Sequence, residues 1–446
     1  MVEGNISSVL VADEPAPDQP VAAYGILTER DILRRLAKDG PSVLLQPSGP
    51  MASRPLQCIR SGAFVYRAIG RLQRLGIRHL AVRTESGRLQ GVVSARDLLR
   101  TLGGEATSLN DAIVMARSAE DLRIAWAGLP AVVTTLIGEG LDATLVARIV
   151  SEELRAMTRQ AAILAEAAMI AEGLGPPPAR YALLVLGSGG RGESLLAPDQ
   201  DHAIVFDAAI EGSGIDGWLA ELGRRISETL DRSGIPLCKG GVMASNPKWR
   251  GSFTGWEERI AGWIEHSRPE DLLNVDIFFD MMPVHGDIDL GQALLHRVYE
   301  MGANQPAFAK LLADRITAGH SLTLLGNIHV DGDGRIDLKA HGLFPIVAFA
   351  RALALKSGLA LRPTAERLGA IAHTTGRVTD INALVHDHGV IMRTLLLQQA
   401  RDIEAGIPPS NRIDPTQIDG SRRARLRLAL RRVRHIPEMI RELMFD

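Results

Sequence analysis

The stretch Leu184-Val-Leu-Gly-Ser-Gly-Gly-Arg-Gly-Glu-Ser-Leu-Leu-Ala-Pro-Asp-Gln-Asp-His-Ala-Ile-Val-Phe206 decides how this 446-residue chain is read. Tyr181 to Leu186 predicts a buried strand, and a second strand begins just after Asp201. Between them lie a glycine-rich turn and a connector closed by Pro198. Asp199 and Asp201 stand one residue apart, so strand alternation points both carboxylates to one face, where they can share a divalent cation. Gly187 to Gly192 reads as a loop whose backbone N–H groups can come against phosphate oxygens. A phosphate cradle followed by a cation clamp is most of what phosphoryl or nucleotidyl transfer needs.

The same glycines meet a competing pattern. Gly187-x-Gly189-x-x-Gly192, with Asp207 twenty residues beyond Gly187, satisfies the dinucleotide-binding fingerprint. That fold requires a full crossover helix between parallel strands, and Pro198 leaves room for only about five helical residues. The short connector therefore favours the transferase reading.

Gly-Ser, a short helix and Asp-x-Asp resemble the nucleotidyltransferase superfamily that shares the DNA polymerase beta catalytic fold. More narrowly, Gly187-Ser-Gly-Gly-Arg-Gly-Glu193 with Asp199-Gln-Asp201 resembles the DUF294 nucleotidyltransferases, relatives of the PII-protein uridylyltransferases. Gly241-Val-Met-Ala-Ser-Asn-Pro-Lys-Trp-Arg250, Ile277-Phe-Phe-Asp-Met-Met-Pro-Val284, Asp337-Leu-Lys339 and Thr364-Ala-Glu-Arg-Leu368 resemble further blocks of that family, in its order. The resemblance implies an α/β core of polymerase-beta type. Asp199, Asp201 and Asp280 would be its catalytic, metal-holding carboxylates, binding Mg²⁺ or Mn²⁺. Gly187, Ser188, Gly189, Arg191 and Lys248 would contact the NTP substrate. Asp276 is the alternative to Asp280, since both fall on one face of a strand expected over Asn274 to Pro283. Asn246 and Arg250 are further polar donors, which an ordinary surface turn explains equally well. Met282 departs from the family, which usually has Arg there, and puts one phosphate or transition-state contact in doubt.

The first hundred residues contain a repeat. Gly25-Ile-Leu-Thr-Glu-Arg-Asp-Ile-Leu-Arg34 returns as Gly91-Val-Val-Ser-Ala-Arg-Asp-Leu-Leu-Arg100. Each copy is an apolar strand running into a helix that opens with a hydroxyl and, three residues later, a carboxylate, which is capping chemistry. The same groups can serve a ligand, Thr28 or Ser94 meeting phosphate and Asp31 or Asp97 accepting from ribose. The pattern resembles the CBS domain, a paired module that often senses adenine nucleotides and can join two copies of a chain. Only seven residues precede Ser8-Val-Leu-Val-Ala12, so the first copy reads as incomplete and the second, with a helix over Val65 to Leu75, as the better ligand holder.

These readings divide the chain into a CBS region (1–103), a helical linker (104–178), the transferase core (179–290) and a helical substrate-binding domain (291–446). The fold class is α/β, as a multidomain α+β assembly. Within the core, helices are expected over Asp216 to Ser233 and Trp256 to His266, and a strand over Ile235 to Ala244. Arg351 reads as a cation lying along a packed helix, and Lys339 as a group able to meet phosphate or acceptor. The seven arginines of Ser421 to Arg434 alternate with Leu426, Leu430 and Val433, predicting a docked amphipathic helix and not a nucleic-acid site. His386-Asp387-His388 reads as a loop without partner histidines for a metal-dependent hydrolase.

Bulk properties set limits. A formal net charge of −2 gives no reason to expect nucleic acid, and no apolar run reaches membrane-spanning length. Two widely spaced cysteines, Cys58 and Cys238, suggest a reducing cytoplasm without disulfides or a zinc site. The expected activity is transfer of a nucleoside monophosphate from NTP to an acceptor hydroxyl, on a protein that is PII-like or otherwise. The missing hydrolase and small-molecule-binding domains weaken the case for PII itself. The alternative from another class is a nucleotide-sensing scaffold that has kept the transferase fold as a binding module.

Overall fold

The computed structural model describes the chain apart from residues 1–7, 13–18, 62, 64–67, 69–70, 73–74, 85–86, 95–108, 208–212, 267–276, 304, 315, 317–320, 324–325 and 446. Asp97, Asp276 and much of the helix expected over Val65 to Leu75 lie outside the described residues. The chain forms two compact units, Met1–Glu105 and Ala106–Asp446.

In the first unit, β1 (Ser8–Ala12) pairs antiparallel with β2 (Tyr24–Thr28), which runs into helix α1 (Glu29–Asp39). Thr28 opens α1 with a reciprocal capping box. The Asp31 backbone N–H donates to the Thr28 hydroxyl oxygen, and the Thr28 N–H and hydroxyl both donate to one Asp31 carboxylate oxygen, at 3.0 and 2.6 Å. β3 (Cys58–Arg60) lies parallel to β4 (His79–Arg83), and β4 pairs antiparallel with β5 (Leu89–Ser94), which places Ser94 opposite His79. Leu80 is fully buried with Ala68 and Leu72 on this sheet.

The second unit is built on a four-stranded sheet in the order β8-β7-β6-β9, with β6 Tyr181–Val185, β7 His202–Phe206, β8 Arg250–Ser252 and β9 Met282–Gly286. β6 and β7 are antiparallel, with Val185 opposite His202. That register excludes the dinucleotide reading, which needs these two strands parallel. Every residue of β6 and β7 is buried, as a central pair covered on both faces should be.

Two expected strands take other forms. Ile235 to Ala244 has no strand and runs beside β7 through single bonds, such as His202 N–H to the Val242 carbonyl at 3.0 Å, because Gly240 and the positive-φ Gly241 break any ladder. Phe279 and Asp280 belong to a helical turn, and β9 begins only at Met282.

The helices surround this sheet. α2 (Ala119–Gly138) and α3 (Ala143–Ala171) precede it, α4 (Gly187–Arg191) is the glycine-rich turn, and α5 (Ser213–Arg232) and α6 (Phe253–His266) flank β8. Trp256 stacks on Phe278 and donates its indole N–H to the Ile204 carbonyl at 3.0 Å, fixing α6 against β7. Beyond β9 come α7 (Ile288–Ala303), α8 (Pro306–Asp314), α9 (Phe344–Lys356), α10 (Thr364–Thr375), α11 (Val378–Glu404), α12 (Gly420–Val433) and α13 (Ile436–Phe445). His386, Asp387 and His388 fall inside α11 and not in a loop. Asp387 is buried and takes Arg432 bidentately, which ties α12 to α11 through Leu426, Ala429, Leu430 and Val433.

Candidate active site

The segment before β7 keeps strand alternation. Gln200 turns inward, where its amide donates to the carbonyls of Ser227 at 3.0 Å and Ile235 at 2.8 Å. Asp199 and Asp201 therefore share the other face, and Cys238 joins them, with ligand atoms of all three within 4.8 Å of one another. Burial first, and then the charge of Asp199, push the Asp201 carboxyl up to about 6. A hydrogen bond from Cys238 and the charges of Lys339 and Arg191 oppose that rise. Burial and the charge of Asp201 push the Cys238 thiol up to about 12, so it stays protonated and donates to the carboxylate.

These residues fit a hard divalent cation. Two carboxylates crowded into one partly buried face repel each other, and a cation between them removes that cost. Cys238 enters as a hydrogen-bond donor, because a protonated thiol is a poor ligand for Mg²⁺ or Mn²⁺. Nothing in the sequence around Cys238 marks it. Irregular backbone, pinned where the His202 ring accepts from the Ala244 N–H at 3.2 Å, carries the cysteine to the site.

The glycines of α4 do more than clear room for phosphate. Gly187 has φ +54°, and a Cβ there would lie 2.9 Å from an Asp201 carboxylate oxygen. At Gly190 a Cβ would lie 1.9 Å from the Asp280 carbonyl oxygen. At Gly189, expected to serve phosphate, it would strike Val185 at 2.7 Å and Leu154 at 3.3 Å, so this position faces protein. Ser188 is half-buried, its hydroxyl 3.5 Å from that of Ser194. The start of a helix leaves N–H groups without intrahelical acceptors, and here they are those of Gly187, Ser188 and Gly189.

Asp280 stands apart from the metal set expected for it. Its side chain is fully buried, with one oxygen taking Arg191 and Arg351 at 2.5 Å each and the other taking Arg367 at 2.8 Å. Burial alone would raise this carboxyl, but Arg351, Arg191 and Arg367 hold it well below the usual range. Both of its oxygens are engaged by guanidinium groups, and it lies outside the Asp199–Asp201–Cys238 group. Arg191, expected on the triphosphate, is committed to the same cluster and to Glu193 at 2.9 Å. Glu193 in turn accepts from the Thr364 N–H at 2.6 Å and hydroxyl at 3.0 Å, at the start of α10. Arg351, Thr364 and Arg367 thus bring the C-terminal helices to the glycine turn.

The stretch expected as a linker takes part as well. Arg155 on α3 donates to the carbonyls of Gly189 at 2.8 Å and Gly190 at 3.0 Å, closing the turn from behind. Ser151, one turn earlier, accepts from the Ser194 N–H at 2.8 Å. The sequence marked this stretch as helical but not that its polar stripe is buried.

Of the remaining candidates, Lys248 is exposed on a short turn that Asn246 caps at 3.1 Å. Arg250 is buried and holds Asp216 at 2.7 Å and the Ala244 carbonyl at 2.7 Å, so it braces the fold. Lys339 is exposed, and its charge acts on Asp201.

A sheet of this order carrying a carboxylate pair behind a glycine turn defines a nucleotidyltransferase-type core. Residues 127–270 match the family described as "Putative nucleotidyltransferase DUF294", residues 306–443 the "Putative nucleotidyltransferase substrate binding domain" that goes with it, and residues 49–104 the CBS domain. The chain belongs to the DUF294 nucleotidyltransferases and carries a CBS domain ahead of the transferase. No curated protein matches it. Among solved structures, a CBS domain protein from Pyrobaculum aerophilum complexed with AMP is 30% identical, over 22% of this chain and 69% of that one, with a TM-score of 0.19. None of the described helices is long and apolar enough to cross a membrane.

Proposed function

We propose that the chain moves a nucleoside monophosphate from an NTP to a hydroxyl on an acceptor protein, releasing pyrophosphate. The observation that carries this reading is the Asp199–Asp201 pair, gathered within 4.8 Å of Cys238 beside the glycine turn. Asp199 and Asp201 would hold Mg²⁺ or Mn²⁺, which when bound neutralises triphosphate charge and lowers the pKa of an attacking hydroxyl. Ser188 and the opening N–H groups of α4 would position phosphate oxygens. Lys339 supplies a cation that the buried cluster does not consume. Incubation with each labelled NTP, Mg²⁺ and lysate, followed by identification of the labelled species, tests the reading and names the acceptor, PII-like or not. A scaffold that only senses nucleotide would label nothing.

The raised Asp201 carboxyl gives a pH-dependent expectation. Its folded value lies above the ordinary 3.8, so the metal-free protein loses stability as pH rises from about 4 through about 6. A cation competes with that proton and restores what is lost. Added Mg²⁺ should therefore raise Tm more at pH 7.5 than at pH 5, and should not do so in Asp201→Asn. Equal shifts at both pH values would contradict the assigned site. Lys339→Met should raise KM for NTP by roughly 5-fold with little change in kcat, the equivalent of about 1 kcal/mol for one exposed cation. An unchanged KM would remove Lys339 from the site.

For the CBS region, the reading is that an adenine nucleotide binds and regulates transfer, held mainly by Ser94 and Asp97. In the first copy Asp31 is engaged by its own helix cap. Calorimetry of AMP and ATP with the full chain and with Asp97→Ala tests this, and equal affinity would contradict it. Pairing of two chains through this region belongs to the same proposal, with sedimentation as its measure.

A further inference from the structure

Helix α11 separates two environments. On one side Gln399 faces the catalytic unit, where its amide oxygen accepts from the Leu196 N–H at 2.9 Å. On the other, Val390, Leu397 and the buried Ile418 form the apolar part of a cleft between α11 and the start of α12. The cleft is small, with a cavity volume of about 70 Å³, and it opens to solvent.

Its charge is one-sided. Arg393 and Arg401 come from α11 and Arg422 and Arg425 from α12, and no lining residue is acidic. Arg393 is anchored to the carbonyls of Leu141 and Ile137, at 3.2 Å each. Arg401 gives one N–H to the Gln417 carbonyl at 3.2 Å, and Arg422 pairs through Nε with Asp419 at 3.1 Å. A guanidinium has five N–H donors, so both keep donors to spare. Arg425 has no hydrogen-bond partner among the described residues. Four cations converging on one partly apolar cleft make a focused positive potential, and guanidinium forks match phosphoryl oxygens.

We propose that this cleft binds a small molecule carrying several phosphoryl groups and a flat apolar part, at a site separate from the carboxylate pair. The arginines take the phosphoryl oxygens while Val390, Leu397 and Ile418 receive the apolar part. None of the residues assigned to transfer lines the cleft, so its occupation does not depend on the proposed reaction.

The test is equilibrium dialysis of the full chain against ATP and against tripolyphosphate, with a chelator present to weaken nucleotide binding at the carboxylate pair. Arg422 and Arg425 are exposed, so Arg422→Gln/Arg425→Gln should fold normally. The wild type and Asp201→Asn should each bind one more ATP per chain than the double variant, or bind it at that site on the order of 10-fold or more tightly, as loss of two charge-assisted contacts requires. Tripolyphosphate should compete for the same site more weakly than ATP. Equal ATP stoichiometry and affinity in wild type and double variant would overturn the site. Tripolyphosphate binding as tightly as ATP would overturn the apolar half of the assignment.

Discussion

Asp280→Asn should unfold the transferase unit far more readily than any substitution at the carboxylate pair. The wild-type carboxylate is the shared counter-ion of Arg191, Arg351 and Arg367, whose side chains are 12, 5 and 0% exposed. An amide of the same shape leaves those cations facing one another without a negative charge. Removing one partner of a buried pair costs about 3–5 kcal/mol. For a unit of this size that lowers Tm by on the order of 10 °C. The sign with pH follows from the depressed carboxyl: its contribution is full above the ordinary 3.8 and is lost only as pH falls below it. Thermal unfolding at neutral pH is the measurement. A variant with wild-type Tm and no activity would return Asp280 to the metal site.

Asp201→Asn should behave in the opposite way, keeping the fold and losing transfer. The substitution removes a carboxylate that burial and Asp199 already disfavour, so stability at neutral pH should hold or rise. It also halves the charge available to a divalent cation. Loss of that electrostatic term, several kcal/mol in the transition state, lowers the rate by on the order of 10²-fold or more. The rate of label transfer from NTP, measured beside circular dichroism, reports both halves. Wild-type transfer by a folded Asp201→Asn would show that the pair is not the metal site.

The contrast between these two aspartates marks the limit of what the sequence discloses. Asp199 and Asp201 were legible because local periodicity governs them: Gln200 turns inward and its neighbours outward whatever surrounds them. The short connector closed by Pro198 likewise revealed antiparallel strands, since chain length alone forbids a crossover there. The arginine cluster around Asp280 was not legible, because it depends on Arg351 and Arg367, 71 and 87 residues further on, and because Phe279 and Asp280 leave the strand for a turn. Arg155 and Cys238 were missed for a similar reason. One lies on a helix whose polar stripe is covered only in the folded unit, the other on irregular backbone with no period to read. Glycine at 189 and 190 was explained by phosphate approach, yet close contact with Val185 and with the Asp280 carbonyl already requires it.

Pyrophosphate release tests the central claim most directly. Purified wild type, Asp201→Asn and Arg422→Gln/Arg425→Gln are given each NTP with Mg²⁺ and lysate proteins, with and without chelator. Metal-mediated transfer at the Asp199–Asp201 pair predicts release by the wild type, abolished by chelator, lost in folded Asp201→Asn and retained in some measure by the arginine variant. Equal release by wild type and Asp201→Asn, or silence from a folded, nucleotide-binding wild type with every NTP, would contradict it.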